Sequence, residues 1–120
     1  MTTEELNNQV IEMLEKANKE IERELNIPVL EKCNHVVVSE DLYYFINNDG
    51  QGFATVGFLT CDDVALRFTK KAAESIASRF KAENGNGPII WKVMGVCDYL
   101  KRLHKKNSEL LEISRKYASK

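Results

Sequence analysis

The chain opens with an amphipathic stripe that predicts a long helix. Thr2 and Glu5 form a capping box, in which the hydroxyl accepts a main-chain N–H and the carboxylate reaches back to the cap. Apolar residues then recur every three or four positions, as on one face of an α-helix, and Pro28 ends the pattern. We therefore predict a helix over about 3–26. Its stripe consists of Leu6, Val10, Met13, Ala17, Ile21 and Leu25.

Three runs with strand character follow this helix. Residues 36–38 are β-branched, 42–46 are rich in Tyr and Phe, and 53–59 are largely apolar. The segment 39–41 is typical of a turn. The segment 47–52 combines Asn, Asp and Gly, which tolerate the positive φ that hairpin loops need. The pattern predicts a three-stranded meander.

The segment after the meander admits two interpretations. A turn at its start would lead into a short fourth strand at 64–68. Alternatively, Thr60 would cap a helix and Asp63 would complete the capping box. Helical spacing and several alanines favour a helix over about 61–82. The apolar positions of that helix would be Cys61, Ala65, Phe68, Ala72, Ile76 and Phe80.

The remainder of the chain completes the predicted fold. A Gly- and Asn-rich turn at 84–88 is followed by a strand at about 89–94 and by a helix at about 96–118. The order is therefore α-β-β-β-α-β-α, which defines an α+β fold with a small antiparallel-type sheet and three amphipathic helices. We expect one domain over 1–120, with the sheet and the middle helix at about 34–94.

The last helix shows a strict heptad spacing. An Asn at an a position costs stability but can determine the register and oligomeric state of a two-stranded coil. The same seam would also serve if the helix packs on its own domain. Two long amphipathic helices exceed what one four-stranded sheet covers, so we favour self-association through the terminal helices. The candidate dimer seam is Val96, Leu100, Leu103, Asn107, Leu110 and Tyr117.

Composition narrows the class of protein. The 120 residues are 43% hydrophobic and 29% charged, which is ordinary for a globular domain. No apolar run approaches the ~20 residues of a membrane span, and the first residues are acidic rather than signal-like. Three widely spaced cysteines do not suggest a disulfide framework. We therefore expect a cytoplasmic protein with reduced thiols and no membrane association.

Charge is divided unevenly along the chain. Residues 1–63 hold thirteen acidic and four basic residues, a net −9, whereas 64–120 hold five acidic and thirteen basic residues, a net +8. Such a division arises when two segments attract each other within a fold or dimer, and also when one segment binds an anion. We favour the first explanation.

The alternative function is binding of nucleic acid or of a nucleotide phosphate by the basic C-terminal half. Clustered cations can follow a phosphate backbone, and Tyr43, Tyr44 and Trp91 could stack on bases. The pI near 6.1 argues against it, because nucleic-acid domains are usually basic. The candidate contacts are Lys70, Lys71, Lys101, Arg102, Lys105 and Lys106.

The residues capable of chemistry form no recognisable catalytic set. Cys33 and His35 lack the second close pair of a zinc site, and no metal is expected. Cys61 at a predicted helix start could be a nucleophile, but the adjacent Asp62 disfavours a thiolate. The Gly-containing loops match neither a P-loop nor a dinucleotide fingerprint, so no cofactor is expected.

These patterns favour a protein that is not an enzyme. We expect a protein–protein interaction protein, a small homodimeric regulator or inhibitor of the kind that phages and mobile elements encode. Its partners would be a second copy of itself and another protein. An enzyme that uses Cys61 or the region of His35 is the weakest of the three hypotheses.

Overall fold

The computed structural model describes residues 2–27, 32–48, 53–85 and 87–118. These residues form an α+β fold in the predicted order α-β-β-β-α-β-α, with one additional two-stranded hairpin in the predicted turn at 84–88. The elements are α1 (Thr3–Leu25), β1 (His35–Ser39), β2 (Tyr44–Asn48), β3 (Ala54–Phe58), α2 (Lys70–Arg79), β4 (Glu83–Asn84), β5 (Gly87–Pro88), β6 (Trp91–Gly95) and α3 (Val96–Ala118).

The chain divides into two compact units, which we describe separately. The helical unit comprises Met1–Pro28, Cys61–Asp63 and Leu100–Lys120, and the sheet unit comprises Val29–Thr60 and Val64–Tyr99. Helix α3 therefore begins in the sheet unit and continues in the helical unit. The expectation of a single domain over 1–120 stays a prediction.

The sheet unit contains an antiparallel sheet in the order β3-β2-β1-β6. Strand β1 pairs with β6 along its whole length, from His35 opposite Gly95 to Ser39 opposite Trp91. Its valines at 36–38 are completely buried, so β1 is covered on both faces. This explains the unbroken β-branched run, because a strand with only one buried face would alternate apolar and polar residues.

Helix α2 packs on β1 and β6. Ala73 is fully buried against Val37 and Ile46, and its small side chain lets the helix approach the sheet closely. The rings of Phe80 and Trp91 meet edge to face with centroids 6.0 Å apart, at the end of the helix.

The prediction of a middle helix over 61–82 is wrong for its first nine residues. The helix begins at Lys70, where the Thr69 hydroxyl accepts a hydrogen bond from the Ala72 N–H at 3.2 Å. Residues 61–69 are not helical, and the alternative strand at 64–68 is not formed either. Instead, Phe68 forms an isolated bridge with His35 through two main-chain hydrogen bonds of 2.7 and 3.0 Å. These long-range bonds satisfy main-chain groups that a helix would have paired locally.

The strand boundaries differ by one or two residues from those predicted. Strand β2 begins at Tyr44 rather than at 42, because Leu42 adopts φ 61° in the turn that follows β1. The Ser39 hydroxyl organises this predicted turn, donating to Asp41 Oδ1 at 2.6 Å and accepting from the N–H groups of Tyr43 and Tyr44. Of the predicted turn at 47–52, residues 49–52 lie outside the described part of the chain.

The terminal helices agree closely with the predicted ranges of 3–26 and 96–118. The Thr2 hydroxyl accepts from the Glu5 N–H at 3.1 Å, which confirms the Thr2 cap of α1. No helix within the described ranges is both long and apolar enough to cross a membrane.

Candidate interaction surfaces

The helical unit is an antiparallel pair formed by α1 and α3. Polar contacts between described residues join the two helices, and early residues of α1 meet late residues of α3. The Asn7 amide donates to the Ser114 carbonyl at 2.9 Å near one end, and Glu22 accepts from His104 at 3.0 Å near the other. Asn18 donates to the Ser108 hydroxyl at 3.2 Å, and Glu15 accepts from Arg115 at 3.1 Å.

The apolar contacts of this pair lie beside the polar ones. Leu14 and Ala17 on α1 form a buried cluster with Leu111 on α3 and with Cys61, and Ile11 packs at its margin. Cys61 therefore belongs to the core of the helical unit although it lies outside any helix. The apolar spacing predicted that Cys61 is buried, but as part of a helix over 61–82. The structure forms no helix at residue 61.

Asn107 has a structural role within one chain. Its side chain is 0% exposed, and its Nδ2 donates to the Cys61 carbonyl at 2.9 Å. Its Oδ1 is buried without a hydrogen-bond partner among the described residues. A polar residue at this heptad position was predicted to select the register of a dimer. In the structure it joins α3 to the segment Cys61–Asp63.

The candidate dimer seam divides into buried and exposed parts. Leu100 and Leu103 are buried with Asn107, Val96 is half-buried, and Leu110 and Tyr117 are exposed. Leu111, rather than Leu110, continues the buried face, because a straight α-helix repeats every 3.6 residues and drifts from a strict heptad. The exposed members of the seam are the ones that a second molecule can reach.

One end of the helix pair exposes apolar side chains on both helices. On α1 the stripe is buried at Ala17 and Ile21, but Leu6, Val10 and Met13 are 38–51% exposed. The antiparallel pairing brings the first half of α1 and the last part of α3 to the same end of the pair. We call this surface the open end, and its apolar members are Leu6, Val10, Met13, Leu110, Ile113 and Tyr117.

A second exposed apolar surface lies at the edge of the sheet. Strand β3 is the outermost strand beside β2, and Val56 and Phe58 on it are 39% and 75% exposed. Phe53, immediately before the strand, is also exposed. The apolar run at 53–59 signals a strand in the sequence, but its position at the edge depends on pairing that the sequence does not reveal.

The candidate anion contacts lie in both units. Lys70 and Lys71 occupy the first turn of α2 in the sheet unit, whereas Lys101, Arg102, Lys105 and Lys106 lie on α3 in the helical unit. The helical unit contains eleven acidic and ten basic residues, and the sheet unit seven of each. The −9/+8 division along the chain therefore nearly cancels within each unit. This supports the interpretation that oppositely charged segments attract each other within the fold.

Cys61 is poorly suited to nucleophilic catalysis. Burial, followed by the negative charge of Asp62, raises the pKa of its thiol. The predicted helix N-terminus that would have stabilised a thiolate is absent, since α2 begins at Lys70. Asp62 and Asp63 therefore cap no helix. The side chain serves as a small apolar residue in the core of the helical unit.

Each of the two histidines contacts a polar side chain. His35 faces Asn34, His104 pairs with Glu22, and no group of three potential metal ligands occurs within the described ranges. A cleft of about 210 Å³ contains Ser39 and Asp41, but the Ser39 hydroxyl is occupied by the turn contacts.

The fold and these surfaces define a small α+β protein that exposes apolar side chains at the open end of the helix pair and along β3. Comparison with models of protein families, with curated proteins and with solved structures gives no match for this chain.

Proposed function

We propose that this chain is a non-enzymatic protein–protein interaction protein that acts as a small homodimeric regulator or inhibitor. The observation that supports this function best is the open end of the helix pair. There, six large apolar side chains on two helices are exposed, while the same α1 stripe is buried further along. Apolar side chains exposed together at one end of a protein are typical of a binding surface.

The arrangement on α1 suits a partner with an apolar groove. Leu6, Val10 and Met13 follow the i, i+4, i+7 spacing with which amphipathic helices anchor in such grooves. The charged residues between positions 2 and 13 are Glu4, Glu5 and Glu12, all acidic. We therefore infer a protein partner whose apolar groove has a basic rim, since opposite charges around an apolar centre favour encounter and register.

A capture experiment with matched variants tests this function. The full chain and its Met13→Glu and Ile113→Glu variants are immobilised and exposed to lysate of the source organism, with Lys105→Glu as a surface-charge control. A protein retained by the wild type and the control, but lost from both open-end variants, is the expected result. If both open-end variants keep their fold by circular dichroism and retain every protein that the wild type retains, the proposal is wrong.

Anion binding is the second candidate function. The exposed cations Lys101, Arg102 and Lys105 are its support, but the near-neutral charge of each unit weakens it. We expect no salt-sensitive binding of a single-stranded oligonucleotide in fluorescence anisotropy at physiological salt. Binding that weakens with salt and disappears in a Lys101→Glu, Lys105→Glu double variant would support the nucleic-acid function instead.

A further inference from the structure

Strand β3 is an edge strand whose own sequence lacks the usual features that prevent pairing. Natural edge strands generally carry a charged residue, a proline or a bulge that prevents another strand from adding. The segment 53–60 contains no charged residue and no proline, whereas β6 at the opposite edge carries an exposed Lys92. Within the described ranges, β3 pairs only with β2.

The register of β3 shows which main-chain groups point away from the sheet. The Leu59 N–H donates to the Tyr43 carbonyl at 2.8 Å, and the pairing continues through Tyr44 opposite Phe58 and Phe45 opposite Gly57. Hydrogen-bonded and non-bonded pairs alternate in an antiparallel ladder. The main-chain groups of Thr55 and Gly57 therefore point toward β2, and those of Ala54, Val56 and Phe58 point outward.

We propose that β3 pairs with β3 of a second copy of this chain, antiparallel and about a twofold axis at Val56. A twofold axis between two identical strands places each residue opposite its symmetric counterpart. Val56 then lies opposite Val56 of the second copy, and Ala54 lies opposite Phe58. All three outward-pointing residues meet outward-pointing residues, so each pair exchanges both of its main-chain hydrogen bonds.

The side chains fit this self-pairing. Residues 54, 56 and 58 share one face of the strand, and pairs directly opposite each other on that face are in contact. The exposed ring of Phe58 would cover the small Ala54 of the second copy, and two β-branched valines would meet at the axis. No like charges oppose each other, because the strand carries none.

This interface forms the homodimer that the proposed function requires. The inference rests on the proposed function only for the existence of a homodimer. None of the six residues of the open end belongs to β3. The strand interface also differs from the heptad seam as the site of self-association, because no residue of the seam takes part in it.

Charged substitutions at Val56, the residue at the twofold axis, test the interface directly. The wild type is expected to show twice the mass of one chain in light scattering at micromolar concentrations. Val56→Lys and Val56→Glu should each be monomeric, since two like charges meet at the axis, whereas the neutral Val56→Thr control should stay dimeric. An equimolar mixture of the Lys and Glu variants should recover the dimer mass, because opposite charges then meet.

Amide hydrogen exchange provides a second readout that does not depend on a substitution. The N–H groups of Ala54, Val56 and Phe58 should become protected as the protein concentration rises. Those of Thr55 and Gly57 should be protected at every concentration, because they bond within the chain. This alternation distinguishes strand pairing from association through a helix.

The outcomes separate this inference from the proposed function. A monomeric wild type, a dimer that survives Val56→Lys, or a mixture that stays monomeric would each overturn the pairing about Val56. A dimer lost in Leu110→Glu and kept in Val56→Lys would place self-association at the open end instead. Loss of the strand interface would leave capture of another protein by the open end unaffected.

Discussion

Asn107 on α3 donates a hydrogen bond from Nδ2 to the main-chain carbonyl of Cys61 at 2.9 Å, with its side chain completely buried. This contact gives the non-helical segment Cys61–Asp63 a defined place in the helical unit. A buried carbonyl is costly when it lacks a donor, so the single amide has a large effect on stability.

Replacing Asn107 should therefore destabilise the protein strongly. Asn107→Ala removes the donor and leaves a cavity, and we expect a loss of about 2–3 kcal/mol in the free energy of unfolding. Urea denaturation followed by circular dichroism measures this loss. Asn7→Ala, which removes the less buried bond to Ser114, should cost about 1 kcal/mol or less. Equal losses in the two variants would contradict the structural role of Asn107.

Leu103 and Leu110 occupy equivalent heptad positions but differ in environment. Leu103 is 0% exposed and Leu110 is 43% exposed. Leu103→Ala should cost about 2–5 kcal/mol of unfolding free energy, and Leu110→Ala less than about 1 kcal/mol. Thermal or urea unfolding of the two variants checks the difference. Comparable losses would mean that the heptad seam is buried as a whole, as in a coiled coil.

Alanine substitutions at Thr69, the observed cap of the middle helix, and at Thr60, its predicted cap, test where that helix begins. Thr69→Ala removes the hydroxyl that accepts from Ala72, and we expect a loss of about 1 kcal/mol. Thr60→Ala should change stability by less than about 0.5 kcal/mol, because the exposed Thr60 caps no helix. Denaturant titration of both variants measures the effects, and a larger loss at Thr60 would restore the predicted helix start.

The ring of Phe45 on the neighbouring strand leaves no room for a side chain at Gly57. A Cβ at position 57 would lie 2.5 and 2.6 Å from Cε1 and Cζ of that ring. Gly57→Ala should therefore cost about 1–3 kcal/mol in unfolding free energy. The penalty should shrink in a Phe45→Leu background, where the ring is absent, so a double-mutant cycle measures the coupling. Strictly additive effects would exclude contact between the two positions.

The thiols of Cys33 and Cys61 should react at different rates with iodoacetamide. Cys33 is exposed, whereas Cys61 is buried with a raised thiol pKa, so its thiolate is scarce at pH 8. We expect Cys61 to be alkylated at least about tenfold more slowly than Cys33, measured by mass spectrometry of the peptides. Unfolding the protein in urea should abolish the difference. Rapid alkylation of Cys61 in the native state would restore it as a candidate nucleophile.

Local patterns predicted the elements whose interactions are local. The Thr2 cap, the extent of α1 and the extent of α3 follow from spacing and capping within the chain, and the structure confirms them. The middle helix was misplaced because Cys61, Ala65 and Phe68 continue its apolar spacing. The positions of Cys61 and Phe68 are determined by long-range partners, namely the cluster with Leu111, the bond from Asn107 and the bridge to His35.

The candidate surfaces show the same contrast between what local sequence patterns predict and what long-range packing determines. The sequence by itself determined that the chain has an α+β order, two long amphipathic helices and an uncharged strand at about 53–59. Only the tertiary structure decided that Ala17 is buried while Leu6 is exposed on the same stripe, and that β3 lies at the edge of the sheet. The physical reason is that periodicity records which face of an element is apolar, whereas exposure depends on what packs against that face.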